Sequence, residues 1–286
     1  EMRHRIETQL GLPSAPLWIG TFHGICHRLL RLHWREAGLP QGFQILDGED
    51  QQRLVKKIIR GLNLDDTRWV PREVAWFINA QKDEGLRPQH LKDDGDPTRR
   101  QLIRLYAAYE DACRRNGVVD FAELLLRCYE ILREAPGLGE HYRARFRHVL
   151  VDEFQDTNTI QYNWMKALVG TSGIPFVVGD DDQSIYRWRG ARVENLQQFR
   201  RDFHGVQLFR LEQNYRSTGT ILDAANAIIG NNSGRIGKKL WTSEGKGAPI
   251  RLFRAYNERD EAEFVIGKIR EWIARGGKRA DNAILY

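Results

Sequence analysis

Val149-Leu150-Val151-Asp152-Glu153-Phe154-Gln155-Asp156 is an apolar run that ends abruptly in two adjacent carboxylates. It reads as a buried parallel strand, and open α/β sheets bind their ligands where such strands end. Neighbours on a strand face opposite ways, so Asp152 and Glu153 cannot work side by side while both remain in it. They suit a crevice just beyond it, where one carboxylate holds Mg²⁺ and the next polarises an attacking water, the division that nucleoside triphosphate hydrolysis requires. Read alone, the segment also allows a helix-capping Asp152.

Strands and helices alternate outward from this point. Val149 to Asp152, Pro175 to Gly179 and Val206 to Leu211 read as strands, with helices near Thr159 to Val169, Val193 to Phe203 and Thr218 to Ile229. A further strand–helix–strand unit runs through Ile250 to Phe253, Arg259 to Ala274 and Ala283 to Tyr286. Alternation of this kind predicts an α/β fold with a parallel sheet. Upstream, Leu17 to Thr21 reads as a short strand entering a helix near Phe22. Between them the pattern turns helical, over Glu49 to Arg60, Pro71 to Gln81, Pro97 to Arg115 and Asp120 to Leu132, the last with a capping box of Asp120 and Glu123. This block reads as an inserted helical subdomain.

Two more strand ends carry polar residues. Phe176-Val177-Val178-Gly179 runs into Asp180-Asp181-Asp182-Gln183, where the amide of Gln183 can bond a terminal phosphate or the attacking water and so sense nucleotide state. The three aspartates lack the alternating ligands and the closing Glu of an EF-hand. Leu211-Glu212-Gln213-Asn214-Tyr215-Arg216-Ser217-Thr218 sets an aromatic beside an arginine, ahead of a helix capped by Ser217 or Thr218. Tyr215 can stack on adenine and Arg216 can stabilise phosphoryl transfer. The same segment equally describes a surface arginine beside a core tyrosine.

With 286 residues, 41% hydrophobic and 29% charged, the chain has room for two domains and a sizeable core. No apolar run reaches the length of a membrane span. Its net charge of +6 is compatible with nucleic acid. Arg187, Arg189, Arg192, Arg200 and Arg201 gather around Tyr186 and Trp188, an interleaving that suits phosphates and stacked bases. Cys26, Cys113 and Cys128 are scattered, which argues for buried, inert thiols in a reducing cytoplasm. His23, Cys26 and His27 share a helical spacing with no fourth zinc ligand nearby. No G-x-x-x-x-G-K-[ST] loop occurs. Gly237-Lys238 comes closest, but Asn232 holds the first glycine position and Lys239 stands where Ser or Thr is required.

In order, Thr21-Phe22-His23-Gly24, Val151 to Asn158, Gly179 to Ala191 and Glu212 to Thr218 resemble the motifs of superfamily 1 DNA helicases of the UvrD/Rep/PcrA group. The likeness covers essentially the whole chain. It implies a truncated P-loop NTPase with RecA-like parallel sheets: residues 1–21 and 147–211 would form a first RecA-like domain, 22–146 a helical insertion subdomain and 212–286 the start of a second. It further implies an ATP-dependent 3′-to-5′ helicase and translocase, acting on single-stranded DNA and single/double-strand junctions in repair and replication. The setting would be the bacterial cytoplasm at the nucleoid, with other DNA-repair proteins as further partners and no membrane.

The resemblance puts the Mg²⁺ carboxylate on Asp152, the catalytic base on Glu153, the γ-phosphate sensor on Gln183, the adenine-stacking aromatic on Tyr215 and an arginine finger on Arg216. DNA contacts fall on Thr21, His23, Tyr186 and Trp188. The phosphate loop is expected upstream of Glu1 and later motifs beyond Tyr286, so the piece by itself is expected to hydrolyse ATP negligibly. Two alternatives stand beside this reading: a non-catalytic single-stranded-DNA-binding module, and a helicase subunit of a helicase–nuclease complex.

Overall fold

Helix starts are written plainly in this chain. A computed structural model describes residues 2–11, 17–233 and 235–285. After α1 (Met2–Leu10), the Thr21 hydroxyl accepts the Gly24 N–H and opens α2 (Phe22–Leu32). Asp47 does the same for Asp50 at the head of α3 (Gly48–Gly61), which follows the two-residue strand β1 (Gln44–Ile45). Pro71 and Pro97 occupy the first positions of α4 (Pro71–Asp83) and α5 (Pro97–Asn116), where a missing N–H costs nothing. Helix α5 ends on Gly117 at φ +64°, a left-handed stop that glycine tolerates. There follow β2 (Val118–Val119), α6 (Phe121–Glu134), α7 (Pro136–Arg145), β3 (His148–Val151), α8 (Thr159–Val169), β4 (Ile174–Val177) and α9 (Glu194–Asp202). Then come α10 (Gly219–Ile229) and α11 (Glu258–Ala274). Among the described residues no helix is long and apolar enough to cross a membrane.

The chain forms two compact units, Glu1–Gln207 and Leu208–Tyr286. In the first, β3 and β4 pair in parallel with Val151 opposite Val177, and β1 and β2 pair in parallel with Ile45 opposite Val119. One core joins α2, α6 and α8 to the end of β3, through Leu29, Leu30, Leu125, Cys128, Trp164, Met165 and Phe154. A second lies within α3, α4 and α5, around Val55, Ile59, Ile78, Leu105, Tyr106 and Tyr109. The helical block therefore has a core of its own, while α2 and α6 serve the core beneath the strand end.

The expected helices form, within a few residues of their expected ends. Several expected strands do not. Residues 17–21, 206–211, 250–253 and 283–285 belong to no ladder among the described residues, and Tyr286 lies outside them. A strand exists by pairing, and apolar sequence alone does not supply a partner. Leu208, Phe209 and Leu211 are exposed accordingly. Among the described residues of the second unit the pairing is a single parallel bridge, Gln213 to Trp241.

The capping box at α6 is half made. Asp120 accepts the Glu123 N–H at 2.7 Å, but the Glu123 carboxylate turns to Lys82, Arg87 and Arg127. At α10, Thr218 sits at the cap without a side-chain bond, and Ser217 does not cap either. Asn214 instead accepts the N–H groups of Arg216 and Ser217, and the first helical donors, Gly219 and Thr220, reach the carbonyls of Gly245 at 2.7 Å and Lys246 at 2.9 Å. Between residues 235 and 247 the chain returns to close that end. Gly247, at φ +70°, packs so tightly on Thr218 that no side chain fits there.

Candidate active site and nucleic-acid interface

Strand β3 stops at Val151, and the backbone then turns sharply. Glu153 adopts φ +51° and ψ +44°, a left-handed conformation that costs a non-glycine residue roughly 1–2 kcal/mol. Asp152 and Glu153 thus both lie beyond the strand, at this turn. Asp152 and Glu153 are both exposed, and Asp152 Oδ1 accepts the Glu153 N–H at 3.0 Å. Beyond Glu153 the chain drops into the core with Phe154 and Gln155.

The end of β4 lies alongside. The Phe154 N–H donates to the Val178 carbonyl at 2.9 Å, and the Val178 N–H to the Val151 carbonyl at 2.8 Å. Gly179 makes this approach possible: a Cβ there would lie 2.9 Å from Gln155 Oε1 and 3.3 Å from Phe154 Cβ. Gln155, 2% exposed, donates from Nε2 to Glu153 Oε2 at 2.7 Å and accepts the Asp180 N–H on Oε1 at 2.9 Å. Asp180 Oδ2 in turn accepts Gln183 Nε2 at 2.7 Å. Glu153 and Gln183 are thus joined by one hydrogen-bonded path through Gln155 and Asp180. Motif reading alone did not single out Gln155, because both of its partners are set by the fold.

An exposed carboxylate with one oxygen still available fits a single-carboxylate Mg²⁺ site of the kind completed by phosphates and water, so Asp152 has suitable chemistry. Asp180, Asp181 and Asp182 bring their oxygens within 4.8 Å of one another, but this cluster is not the expected metal position. Asp156 has its pKa raised by burial and by the neighbouring Glu153.

A cleft of about 610 Å³ opens nearby. His23, Phe121, Tyr186, Asp83, Asn158 and Gln161 are among its walls, so two of the four expected DNA-contacting residues share one cavity. His23 meets Phe121 edge-on with ring centroids 6.0 Å apart, and burial holds its pKa below the ordinary value. Thr21 is exposed at the head of the same helix. Trp188 stands outside, 71% exposed and tilted against Tyr186 at 6.5 Å, which removes a core role for the indole. Arg187, Arg192, Arg200 and Arg201 are exposed; the side chain of Arg189 is outside the described set.

The cleft is tied to the strand end by α4. Asp83 Oδ1 accepts Asn158 Nδ2 at 3.0 Å, and Glu84 bonds both Thr159 and Arg192. Asn158 and Gln161 form a capping box that opens α8. Burial, with Asp120 and Glu84 close by, pushes the Asp83 carboxyl up to about 6 against the Asn158 hydrogen bond.

In the second unit, Tyr215 is 78% exposed, its hydroxyl bonded to Gln213 Oε1 at 2.8 Å, and Arg216 is exposed beside it. A core tyrosine is excluded there. No zinc site forms at His23, Cys26 and His27: burial, and then the neighbouring Cys128 thiol, raise the pKa of Cys26, while His27 accepts a bond from Arg31 Nε at 3.0 Å. All three cysteines are free and buried.

The family model of the UvrD/REP helicase N-terminal domain matches residues 1–204, and that of the UvrD-like helicase C-terminal domain matches residues 209–286. The chain is 57% identical to DNA helicase II of Escherichia coli strain K12 and 52% identical to DNA helicase II of Haemophilus influenzae, in both cases over all of this chain and 40% of the relative. It is 38% identical to the ATP-dependent DNA helicase PcrA of Staphylococcus aureus, over all of this chain and 39% of that protein. The chain therefore spans about two fifths of the length of these relatives.

Proposed function

We propose, from the premise that this chain belongs to the UvrD/REP helicase family, that it is part of an ATP-driven DNA helicase moving 3′ to 5′ on single-stranded DNA. One observation carries the reading: the buried amide of Gln155 ties Glu153, at one strand end, to the Asp180–Gln183 segment at the next, while exposed Trp188 follows a few residues on. Hydrolytic groups and a base-stacking surface then belong to one continuous stretch of chain.

In this reading Asp152 holds Mg²⁺, which neutralises phosphate charge when bound. Glu153 accepts the proton of the attacking water, and its exposed carboxylate is free to meet that water. Gln183 orients the water or the terminal phosphate, and Asp180 holds its amide until it does so. Tyr215 stacks on adenine and Arg216 offsets charge on the transferring phosphoryl group. We read residues 1–21 and 147–211 as one RecA-like domain, 22–146 as its helical insertion and 212–286 as part of another.

On the DNA side, Thr21, His23, Tyr186 and Trp188 make the contacts. The cleft bears Asp47, Asp83 and Asp156, with Asp120 behind them paired to Lys82, and His23 as its one ionisable base, so its lining disfavours phosphates and offers acceptors to base edges. Aromatic stacking of roughly 1–3 kcal/mol per base grips a strand without trapping it. Single/double-strand junctions, and other repair proteins at them, are the partners this activity would meet in a bacterial nucleoid.

Glu153→Gln in the full-length protein tests the assignment. Turnover of ATP should be abolished while nucleotide binding survives, because the variant removes a base and keeps the shape. Loss of nucleotide binding together with lowered stability would overturn the catalytic role.

A further inference from the structure

Gln155 is a buried polar side chain with both ends of its amide engaged. Its two partners fix its orientation. Asp180 presents an N–H, which only the carbonyl oxygen can accept, and Glu153 presents a carboxylate, which only the NH₂ can satisfy. The first bond belongs to the junction of the two strands. The second holds the side chain of a residue whose backbone is already in a sparsely populated conformation.

The geometry points to Gln155 as the positioning residue for the hydrolytic centre, setting the Glu153 carboxylate in place and linking it through Asp180 to Gln183. This rests on the reading of Glu153 as the base. The residue touches no substrate in this role. It acts by fixing the direction of one carboxylate and by making the placement of Glu153 depend on the position of the β4 end. Gly179 is part of the device, since any side chain there would meet Gln155 Oε1 and press it away from both partners.

Gln155→Glu separates positioning from packing. The variant keeps the size of the side chain and an oxygen for the Asp180 N–H, so the strand junction survives. Towards Glu153 it replaces a donor with a second carboxyl group, so the Glu153 carboxylate loses the bond that directs it. The test uses the full-length protein with single-stranded DNA at saturation. At neutral pH, kcat should fall roughly a hundredfold with little change in KM for ATP. Gln155→Leu, which makes neither bond, should lower kcat similarly and also lower the melting temperature.

Failure of the two readings is distinguishable. If Glu153→Gln retains turnover, the base assignment fails and Gln155 has nothing to position. If Glu153→Gln is inactive but Gln155→Glu keeps the wild-type kcat, Gln155 is structural only and the inference is overturned. Should Gln155→Leu not fold, Gln155→Glu decides the matter alone.

Discussion

The Lys82 ammonium lies 2.6 Å from Asp120 Oδ2, and both side chains are sealed from solvent. Burial alone lowers a lysine pKa, but the facing Asp120 and Glu123 carboxylates reverse this and hold Lys82 charged, above its ordinary value. Tyr109 donates its hydroxyl to Asp120 as well, and Arg87 reaches Glu110, Glu123 and Glu130. Lys82→Met should destabilise the first unit by about 3–5 kcal/mol, because it strands buried carboxylates without their cation. Urea unfolding would measure it, and a loss below about 1 kcal/mol would show that water already relieves the cluster.

Asp83 offers the pH-dependent counterpart. Its folded pKa of about 6 lies above the ordinary 3.8, so the folded state holds its proton more tightly. Its contribution to stability is therefore best below about pH 4 and declines as pH rises towards 6, by at most about 3 kcal/mol. Asp83→Asn keeps an oxygen for Asn158 and removes the charge. It should stabilise the protein by about 1–3 kcal/mol at pH 7.5 and by little at pH 4. Equal effects at both pH values would show that Asp83 titrates normally.

Trp188→Ala should weaken single-stranded DNA binding by about 1–3 kcal/mol, through loss of one stacked base. Since the indole is largely exposed, the melting temperature should hardly move. DNA affinity and thermal unfolding measured side by side check both statements. A large thermal loss with unchanged affinity would remove the stacking role.

Arg216→Ala in the full-length protein should reduce maximal ATP turnover by orders of magnitude, roughly 10³ or more for a lost arginine finger. Tyr215→Ala should chiefly raise the ATP concentration required, because stacking on adenine is felt equally in ground and transition states. Steady-state kinetics at saturating single-stranded DNA distinguish the two. An unchanged maximal rate for Arg216→Ala would strike it from the catalytic groups.

Much of this was legible in local sequence. Asp120 marks the start of its helix and caps it, and the step from Val151 to polar Asp152 marks a strand end without any partner in view. What stayed hidden depends on residues far apart. Glu123 has the type and spacing of a capping-box partner, yet Lys82 and Arg87 claim its carboxylate from another helix. Gln155 lies in the same motif as Asp152 and Glu153, but its role needs Asp180 beside it. The apolar run from Val206 to Leu211 has strand composition, and composition cannot provide the neighbour that makes a ladder.

The cap of α10 has a bearing on the order of events in folding. Most helices here can begin from a side chain within their own first turn, but the leading amides of α10 are satisfied by carbonyls that arrive only when residues 245 and 246 come back to residues 219 and 220. Closing that loop carries an entropy cost that local capping avoids. Completion of the first turn of α10 is thus coupled to a distant return of the chain, while the Tyr215–Arg216 segment just ahead of it is turned locally by Asn214.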